Sequence, residues 1–447
     1  MAKENTLNMT EGSPLKLLIS FSIPMLIGNL FQQLYNIVDS IVVGRLVGAD
    51  ALAAIGTTGS ISFLFFALCN GIGSGGGIIT SQFFGMNATQ RVKSCISNVG
   101  YIMILFPTIV GIIAFVLAEP LLVLLKTPEN ILAASVGYLK VMCVGLLFVS
   151  VYNYVSSMLR ALGDSKTPLY FLIFSCILNT ILDIIFVGSL HMNVMGAGIA
   201  TVISQLVSGA LCIWYAIKYN SYFKLGKDDF KIDKSIVYSA LRMGVPLSLQ
   251  FSLIAISSMA LQRVVNSFGA VAMATFTASS RIEQVIHQPY QTLSAALSTF
   301  IGRNYGAKKK DRMFEGYKKS ILIMIIFTVI MVVAMQLFGR YITALFVNDP
   351  EVIEMGTKSL RITSLFYIFL GMIYVVRGFL NGVGDAFFAL YNGIVEVIGR
   401  FVVPITLTMI PFIGIWGIWW SVGIVWFISG FTAWLRYKGF RKKKLMV

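Results

Sequence analysis

Long apolar segments alternate with short polar connections along the whole chain. A helix needs about 20 residues to cross a hydrocarbon core of about 30 Å, and each apolar segment here is at least that long. A transmembrane β-barrel would show short segments of alternating polarity instead, so the pattern predicts helices. We predict twelve membrane-spanning helices, at residues 15–43, 51–84, 93–118, 130–159, 167–190, 194–218, 236–266, 271–304, 314–342, 352–381, 387–411 and 414–437.

The second half of the chain repeats the first half at a constant offset of 221 residues. Gly48 recurs as Gly269, and Gly163 recurs as Gly384. Further matches at this offset are Asp164 with Asp385, Leu169-Tyr170 with Leu390-Tyr391, and Gly196 with Gly417. A single match carries little weight, but one offset kept over most of each half indicates a duplication.

The duplication also predicts how the two halves are oriented. Six predicted helices precede a polar stretch and six follow it. Since six is even, each half begins and ends on the same side of the membrane, which makes the halves parallel repeats about an axis along the membrane normal. We therefore predict an all-α polytopic membrane protein with an N-terminal six-helix lobe (1–220), a cytoplasmic linker (221–234) and a C-terminal six-helix lobe (235–447).

Composition excludes a soluble globule, and the distribution of charge predicts the orientation. The chain is 57% hydrophobic and 12% charged, with a mean hydropathy of +0.82. Lys and Arg concentrate in one set of connections, which includes the Arg303–Lys319 loop, Arg377 and the C-terminal tail. The opposite set has only Arg45, Lys126 and Arg340. By the positive-inside rule, we predict that both termini are cytoplasmic.

The ends of the chain and its motifs exclude three further classes. Residues 1–14 are polar and the first apolar run is too long for a signal core, so we predict no cleavable signal peptide. The basic cluster at 441–444 follows the last helix directly, a position that normally meets anionic lipid headgroups, so membrane lipids rather than nucleic acid are its predicted partner. The chain has two histidines, no HExxH motif and no Ser/His/Asp set with motif spacing, so we predict no enzyme.

Ionisable side chains within the spans are the candidate chemistry, because they are costly there and rarely kept without a partner or a task. In the first half these are Asp39 in the first helix and Asp183 in the fifth. Asn179 lies four residues before Asp183 and shares its helix face. At 1.5 Å per residue, Asp39, Asp183 and Thr201 of the sixth helix lie roughly 7–10 Å below the external surface. We therefore expect two carboxylates, an amide and a hydroxyl to meet at one level.

The residues alone leave three interpretations of this cluster open. Its oxygen atoms could bind a hard cation such as Na⁺, or one carboxylate could take up a proton, since desolvation and a nearby like charge both favour the neutral form. The third interpretation is a structural polar network that ties the first, fifth and sixth helices together. The repeat favours function, because the counterparts of the two acids in the second half are Ala260 or Leu261 and Pro404. The duplicated architecture therefore does not need acids at these positions.

The second half carries a different polar set. Glu396 and Arg400 lie four residues apart in the eleventh helix, in the order that favours an intrahelical ion pair. A self-neutralised pair is a common way to tolerate burial, so a structural role is the alternative. Glu283 in the eighth helix has Arg281 nearby in sequence but not on the same helix face, so it is the freer acid and could attract a cationic substrate. His287 is a candidate titrating group, with packing beside the Pro289 kink as the alternative.

A set of short motifs lies along the first half. They are Pro24-Met25 through Gln32, Tyr35 and Asp39; Asp50-Ala51-Leu52-Ala53-Ala54; Gln82-x-x-Gly85 with Arg91; Arg160-Ala161-x-Gly163-Asp164 followed by Pro168; Asn179-x-x-x-Asp183; and Gly196-Ala197-Gly198-Ile199-Ala200-Thr201. With the repeat, they make the whole chain resemble the multidrug and toxic compound extrusion (MATE) family of bacterial efflux transporters. The resemblance implies a V-shaped pair of six-helix lobes, alternating access, and export of bulky organic cations against inward Na⁺ or H⁺.

The resemblance also implies roles for particular residues. Asp39, Asn179, Asp183 and Thr201 would form the coupling-ion site of the N-terminal lobe. Some family members place a cation-binding acid in the tenth helix, and this chain has none between Ser364 and Asn381. In the second lobe the candidate polar site is His287, Glu396 and Arg400.

We therefore predict a monomeric antiporter of the bacterial inner membrane that exports bulky, often cationic organic compounds, coupled to H⁺ or Na⁺, with no cofactor and no metal beyond Na⁺. The predicted substrate cavity lies between the lobes and is lined by Gln32, Tyr35, Asn153, Gln250, Met259 and Glu283. One alternative is a lipid-linked-precursor flippase of the same superfamily, but such proteins usually have more than twelve helices or several basic cavity residues. A non-transporting scaffold or receptor is the other, and the buried acids and the duplication argue against it.

Overall fold

The computed structural model of this chain describes residues 6–445, apart from the side chains of residues 49, 52, 60, 255, 258–260 and 443–445. Within that range the secondary structure is helical, which confirms the predicted all-α class. The helices are α1 (Pro14–Leu46), α2 (Ala49–Gly85), α3 (Thr89–Leu124), α4 (Glu129–Ala161), α5 (Lys166–Asp183), α6 (Asn193–Tyr219), α7 (Lys234–Asn266), α8 (Ala270–Gly306), α9 (Lys310–Ala344), α10 (Pro350–Ser364), α11 (Tyr367–Gly382), α12 (Ala386–Thr408) and α13 (Gly417–Leu445).

These helices supply the predicted membrane spans. Among the described residues, nine helices are long and apolar enough to cross a membrane, and α10 and α11 together make a tenth span that is bent by 51°. α7 and α8 complete the set of twelve; they are 33 and 37 residues long and carry more polar side chains. The chain is therefore a multi-pass membrane protein.

The prediction of one continuous helix over 352–381 is wrong, because the ladder of backbone hydrogen bonds is interrupted between α10 and α11. The side-chain amide of Gln336 on α9 donates to the Arg361 carbonyl at 2.9 Å and to the Ser364 hydroxyl at 3.0 Å. The Ser364 hydroxyl donates to the same carbonyl at 2.9 Å. In a continuous α-helix this carbonyl would accept from the Leu365 N–H. Side chains inserted into the ladder are a recognised cause of a sharp bend.

The backbone conformation repeats with the sequence. Asn87 and Lys308, which are 221 residues apart, adopt left-handed φ values of 55° and 58°. Gly163 and Gly384 have the same separation and φ values of 85° and 94°. Positive φ is uncommon for a residue other than glycine. Its recurrence at matched positions shows that the duplicated sequence encodes duplicated connections between helices.

The chain forms two compact units. The first unit contains Ser20–Leu249 with Gly306–Lys308 and the described residues before Gly12. The second unit contains Gly12–Ile19, Gln250–Tyr305 and the chain from Lys309 onward. The first part of α7 thus belongs to the first unit and the rest of α7 to the second.

Inside the first unit, α2 and the first part of α7 cross at very short range. A Cβ added at Gly71 would lie 2.2 Å from the Ser248 backbone N, and one at Gly75 would lie 2.5 Å from the Gly244 N. The Ser248 hydroxyl donates to the Leu68 carbonyl at 2.5 Å. Small residues permit such close approach of helices in membranes. The glycine-rich run that begins at Gly71 is therefore a helix-packing surface, which we call the α2–α7 crossing.

The linker between the two halves contains two short 3₁₀ helices, Ser221–Phe223 and Lys227–Phe230, and is bound to the first turns of α3. The Asn98 amide nitrogen donates to the Lys231 carbonyl at 3.1 Å, and the Asn98 side-chain oxygen accepts from the Asp233 N–H at 2.9 Å. The Ser97 hydroxyl donates to the Asp229 carbonyl. The linker is thus a fixed part of the first unit.

Asp233 ends the linker and caps α7. Its carboxylate accepts from the Ser235 hydroxyl at 2.6 Å and from the Ser235 N–H at 2.8 Å. Because these hydrogen bonds favour the ionised form, they lower the pKa of Asp233 below its usual value.

Candidate functional site

The first unit buries all four residues predicted to form a coupling-ion site. Asn179 and Asp183 on α5 are inaccessible to solvent, and Asp39 on α1 and Thr201 on α6 each expose 8% of their surface. The Asn179 amide lies 3.5 Å from the Thr201 hydroxyl oxygen, to which it donates. The structure therefore brings the predicted carboxylates, amide and hydroxyl together from three helices, while their role in transport stays a prediction.

Asp39 and Asp183 form the centre of the cluster. Their side chains approach closely enough to share a hydrogen bond. A hydrogen bond between two carboxyl groups needs one proton between them, because an ionised carboxylate has no donor. The Oδ1 atom of Asp39 is buried and has no hydrogen-bond partner among the described residues. The pair can thus hold a proton and retains an oxygen atom that could accept a further hydrogen bond or a cation.

Two tyrosines enclose the acids. The Tyr35 hydroxyl, one turn before Asp39 on α1, donates to the Thr201 hydroxyl at 2.9 Å. Tyr138 on α4 is 7% exposed and lies within electrostatic range of both Asp39 and Asp183. Sequence reasoning missed Tyr138, because a tyrosine in an apolar helix is more often packing than function. It placed Tyr35 in the substrate cavity, whereas the structure bonds that side chain to the acid cluster.

The helix that carries Asp183 changes its winding directly after it. α5 ends at Asp183, and residues Ile184–Ser189 form a π-helical turn. Such turns are rare and often occur at functional sites, since they leave backbone groups in altered register. Asp183 therefore lies at the junction of two helix types and not within a uniform helix.

The atoms that the cluster could offer to an ion are oxygen atoms. Two carboxyl groups, one amide oxygen and one hydroxyl can hold a proton or bind a hard cation. The tyrosine hydroxyls can donate hydrogen bonds to the ionised acids. Both interpretations predicted from the sequence, proton and Na⁺, are compatible with this set.

The second unit contains a separate network of buried charges. Arg377 on α11 donates to Glu396 at 3.2 Å and to Asn392 at 2.8 Å. Arg400 contacts the other carboxylate oxygen of Glu396 at 3.8 Å, so the predicted intrahelical pair is present, and it donates to Ser257 at 3.3 Å. Glu396 is therefore held between two arginines.

Two residues that we predicted in cytoplasmic connections are instead buried in helices. Arg377 exposes 7% of its surface, and Arg303, near the end of α8, is inaccessible. For Arg377 the physical reason is its partner, since Glu396 lies on the neighbouring helix and compensates the buried charge. The spacing of residues along one helix cannot reveal an ion-pair partner on another helix.

The six predicted cavity residues fall into both units. Gln32 is exposed and Tyr35 and Asn153 are half-buried in the first unit. Gln250 is buried against Gly393 in the second unit, where Glu283 also lies. The side chain of Met259 is outside the described part of the chain. A shared substrate cavity stays a prediction.

Comparison with known proteins agrees with this architecture. The MatE family model matches residues 24–185 and 246–406. The chain is 30% identical over 442 residues to the probable multidrug resistance protein YpnP of Bacillus subtilis (strain 168), with 98% of each chain covered. It is 26% identical over 436 residues to the multidrug export protein MepA of Staphylococcus haemolyticus, covering 97% of this chain and 95% of MepA.

The fold is also similar to that of solved transporters. A MOP superfamily transporter from Pyrococcus furiosus superposes with a TM-score of 0.91 at 22% identity, covering 100% of this chain and 99% of that one. A MATE crystal structure in the bent conformation gives a TM-score of 0.89 at 23% identity, covering 97% and 98%. The resemblance predicted from the motifs is confirmed: the chain belongs to the MatE family of multidrug efflux transporters.

Proposed function

We propose that this transporter is an antiporter that exports bulky, often cationic organic compounds in exchange for H⁺ or Na⁺ by alternating access. The observation that carries the proposal is the buried pair of Asp39 and Asp183. Two acids this close in a spanning region need a proton or a cation between them. Relatives named as multidrug resistance and export proteins support the substrate class. No comparable observation favours a flippase.

The location follows from the same argument. We propose a protein of the bacterial inner membrane with both termini in the cytoplasm, since Lys and Arg concentrate in the connections on that side. A gradient across this membrane would supply the driving ion.

Ion binding would be coupled to the change of conformation through a difference in ion affinity between two states. Binding of an ion to the acid pair can shift the protein between two states only if the ion binds one of them more tightly. The pair provides such a difference when a change in the spacing of α1, α5 and α6 alters the repulsion between the two carboxylates. Tyr35 and Thr201 would hold the surrounding hydroxyl groups in place.

The test is export in proteoliposomes under Na⁺ and pH gradients that are imposed separately. Asp39→Asn and Asp183→Asn should each give a folded, inserted protein that no longer exports a cationic dye with either gradient. Ser40→Ala is the matched control, because this neighbour of Asp39 donates to the Asn36 carbonyl of its own helix. Wild-type export from either asparagine variant at equal protein level would refute the assignment.

A further inference from the structure

The first unit carries an exposed apolar surface on the linker, a segment that does not span the membrane. Ile232 exposes 72% of its surface and Phe230 exposes 50%. The hydroxyl of Tyr101 on α3 donates to the Phe230 carbonyl at 3.1 Å, and the Tyr101 side chain is itself exposed. The three side chains are therefore adjacent. Exposed apolar side chains that lie together on a polar segment indicate an interaction surface.

The contacts between the linker and α3 determine how far this surface extends along the helix. Five polar side chains of α3 hold the linker: Gln90, Lys93, Ser97, Asn98 and Tyr101. Their spacing of i, i+3, i+7, i+8 and i+11 places them on one helix face. At 1.5 Å per residue, the linker follows α3 for about 16 Å. It is thus laid along the beginning of a membrane-spanning helix.

This path brings the linker to the point where α3 first meets lipid. Ile104 and Leu105, in the turn after Tyr101, are apolar and exposed. Exposed apolar side chains on a membrane-spanning helix face the acyl chains. Tyrosine is enriched where the hydrocarbon core ends and the headgroups begin, and Tyr101 holds Phe230 at that level. We therefore expect Phe230 and Ile232 to lie at the boundary between headgroups and acyl chains.

The charges around this surface suit an anionic headgroup. Asp229 is buried, and its carboxylate accepts from the Gln90 amide at 2.5 Å and from the Gly226 N–H at 2.7 Å. Asp233 caps α7, and Asp228 pairs with a lysine at 2.8 Å. By contrast, the linker has four lysines with exposed side chains: Lys224, Lys227, Lys231 and Lys234. Exposed ammonium groups beside apolar side chains match a phosphate above an acyl chain.

We propose that Phe230 and Ile232, with the four exposed lysines of the linker, form a binding site for anionic phospholipids. The apolar side chains enter the acyl-chain region and the ammonium groups contact phosphate. A lipid fits better than a second copy of the chain, because the surface continues into the lipid-facing turn of α3 at Ile104 and Leu105. Its location in the cytoplasmic leaflet rests on the proposed topology, whereas the lipid contact itself does not.

The site would act on the start of α7. Asp233, the residue after Ile232, caps that helix and is held by Asn98, whose side-chain oxygen accepts from the Asp233 N–H. A lipid bound at Ile232 therefore lies beside the first turn of α7. The membrane surface would thus hold the connection between the two halves of the chain in addition to α3.

The test is photo-crosslinking of the full-length protein in liposomes with equal amounts of phosphatidylglycerol and phosphatidylcholine. The photoreactive amino acid p-benzoylphenylalanine is introduced at Ile232 or at Phe230, and the adducts are identified by mass spectrometry. The control position is Ile330, an exposed apolar residue in the middle of α9. We expect phospholipid adducts at all three positions, with phosphatidylglycerol enriched only at the two linker positions.

A second set of variants tests the charge. Lys227→Gln/Lys234→Gln should reduce the phosphatidylglycerol enrichment at Ile232 severalfold, since one lysine near an anionic surface changes affinity about fivefold. The matched control Lys310→Gln/Lys318→Gln removes the same charge from exposed positions of α9 and should leave the enrichment unchanged.

Three results would overturn the inference. Absence of a lipid adduct at Ile232, in a preparation that gives one at Ile330, would show that the linker does not reach the membrane. Equal adducts with both lipids, unaffected by Lys227→Gln/Lys234→Gln, would show that the surface does not select anionic headgroups. A protein–protein adduct in place of the lipid adduct would assign the surface to a second copy. The measurement involves no transport, so its failure is distinct from a failure of ion-driven export.

Discussion

The α2–α7 crossing leaves no room for a side chain at Gly75, and this gives a quantitative prediction. In Gly75→Ala the new Cβ would lie 2.5 Å from the Gly244 N and 2.7 Å from its Cα. Carbon atoms make favourable contact at about 3.5–4.0 Å. Both contacting atoms belong to backbone, so no side chain can swing away. The two helices must therefore separate locally by about 1 Å.

The expected cost follows from two opposing effects. Overpacking typically costs about 1–3 kcal/mol. The new Cβ would meet backbone atoms of the other helix, which cannot rotate away as a side chain can, so we expect a cost at the upper end of that range. Replacing glycine by alanine within a helix contributes about 1 kcal/mol in the opposite direction. We therefore expect Gly75→Ala to lower the free energy of unfolding by about 2 kcal/mol.

Gly59 provides a matched control on the same helix. A Cβ added there meets no atom of the described residues within 4 Å. Gly59→Ala should therefore show only the gain in helix propensity, which raises the free energy of unfolding by about 1 kcal/mol or less. The two substitutions are chemically identical and should change stability in opposite directions.

Thermal unfolding of the purified protein in detergent measures this difference. For a unit of this size, about 2 kcal/mol corresponds to a fall in Tm of about 4–8 °C for Gly75→Ala, while Gly59→Ala should equal or exceed the wild type. The double variant Gly75→Ala/Gly244→Ala should be non-additive, because a Cβ at Gly244 would lie 2.6 Å from the Ile72 Cα in the same α2–α7 crossing. Equal Tm values for Gly75→Ala and Gly59→Ala would refute the reasoning.

Two further predictions concern the linker and the buried charges. Asn98→Ala should speed proteolysis within 221–234, because it removes the hydrogen bonds to Lys231 and Asp233. The control Lys93→Ala removes one exposed hydrogen bond to Lys224 and should have little effect. Equal cleavage rates in the two variants would contradict a fixed linker. Arg377→Met should lower the free energy of unfolding by about 3–5 kcal/mol, because Glu396 loses its nearer partner. Adding Glu396→Gln to Arg377→Met should recover part of this loss, and strict additivity of the two substitutions would argue against the network. The control Arg436→Met, in an exposed ion pair with Asp385, should cost about 0–1 kcal/mol.

The sequence was sufficient to predict most of the helices and the meeting of Asp39, Asn179, Asp183 and Thr201. Apolar length sets where each span begins and ends, and α4 and α6 lie within two residues of their predicted bounds. The rise per residue of a helix predicts that Asp39, Asp183 and Thr201 lie at one depth in the membrane. The packing of neighbouring helices then brings their side chains together. Both arguments use distances along single helices, which can be calculated from the sequence alone.

What the sequence could not predict depends on contacts between helices. The break after Ser364 requires the Gln336 amide of α9, which no local signal places beside the Arg361 carbonyl. The burial of Arg377 requires Glu396 from another helix. The position of Tyr138 requires α4 to pack against α1 and α5. In each case the residue type is ordinary and its neighbour gives it a role.

The two repeats differ in polarity at the acid cluster, and this bears on how ion binding could drive transport. Asp39 and Asp183 correspond to Ala260 or Leu261 and to Pro404, so the pair has no acidic counterpart in the second half of the sequence. Moving a two-state equilibrium from 1:99 to 99:1 takes about 5.5 kcal/mol of differential binding. If the pair acts alone, it must bind its ion about ten thousandfold more tightly in one state than in the other. Two carboxylates that repel each other away from water are a physical source of such a difference, because the repulsion depends strongly on the distance between them.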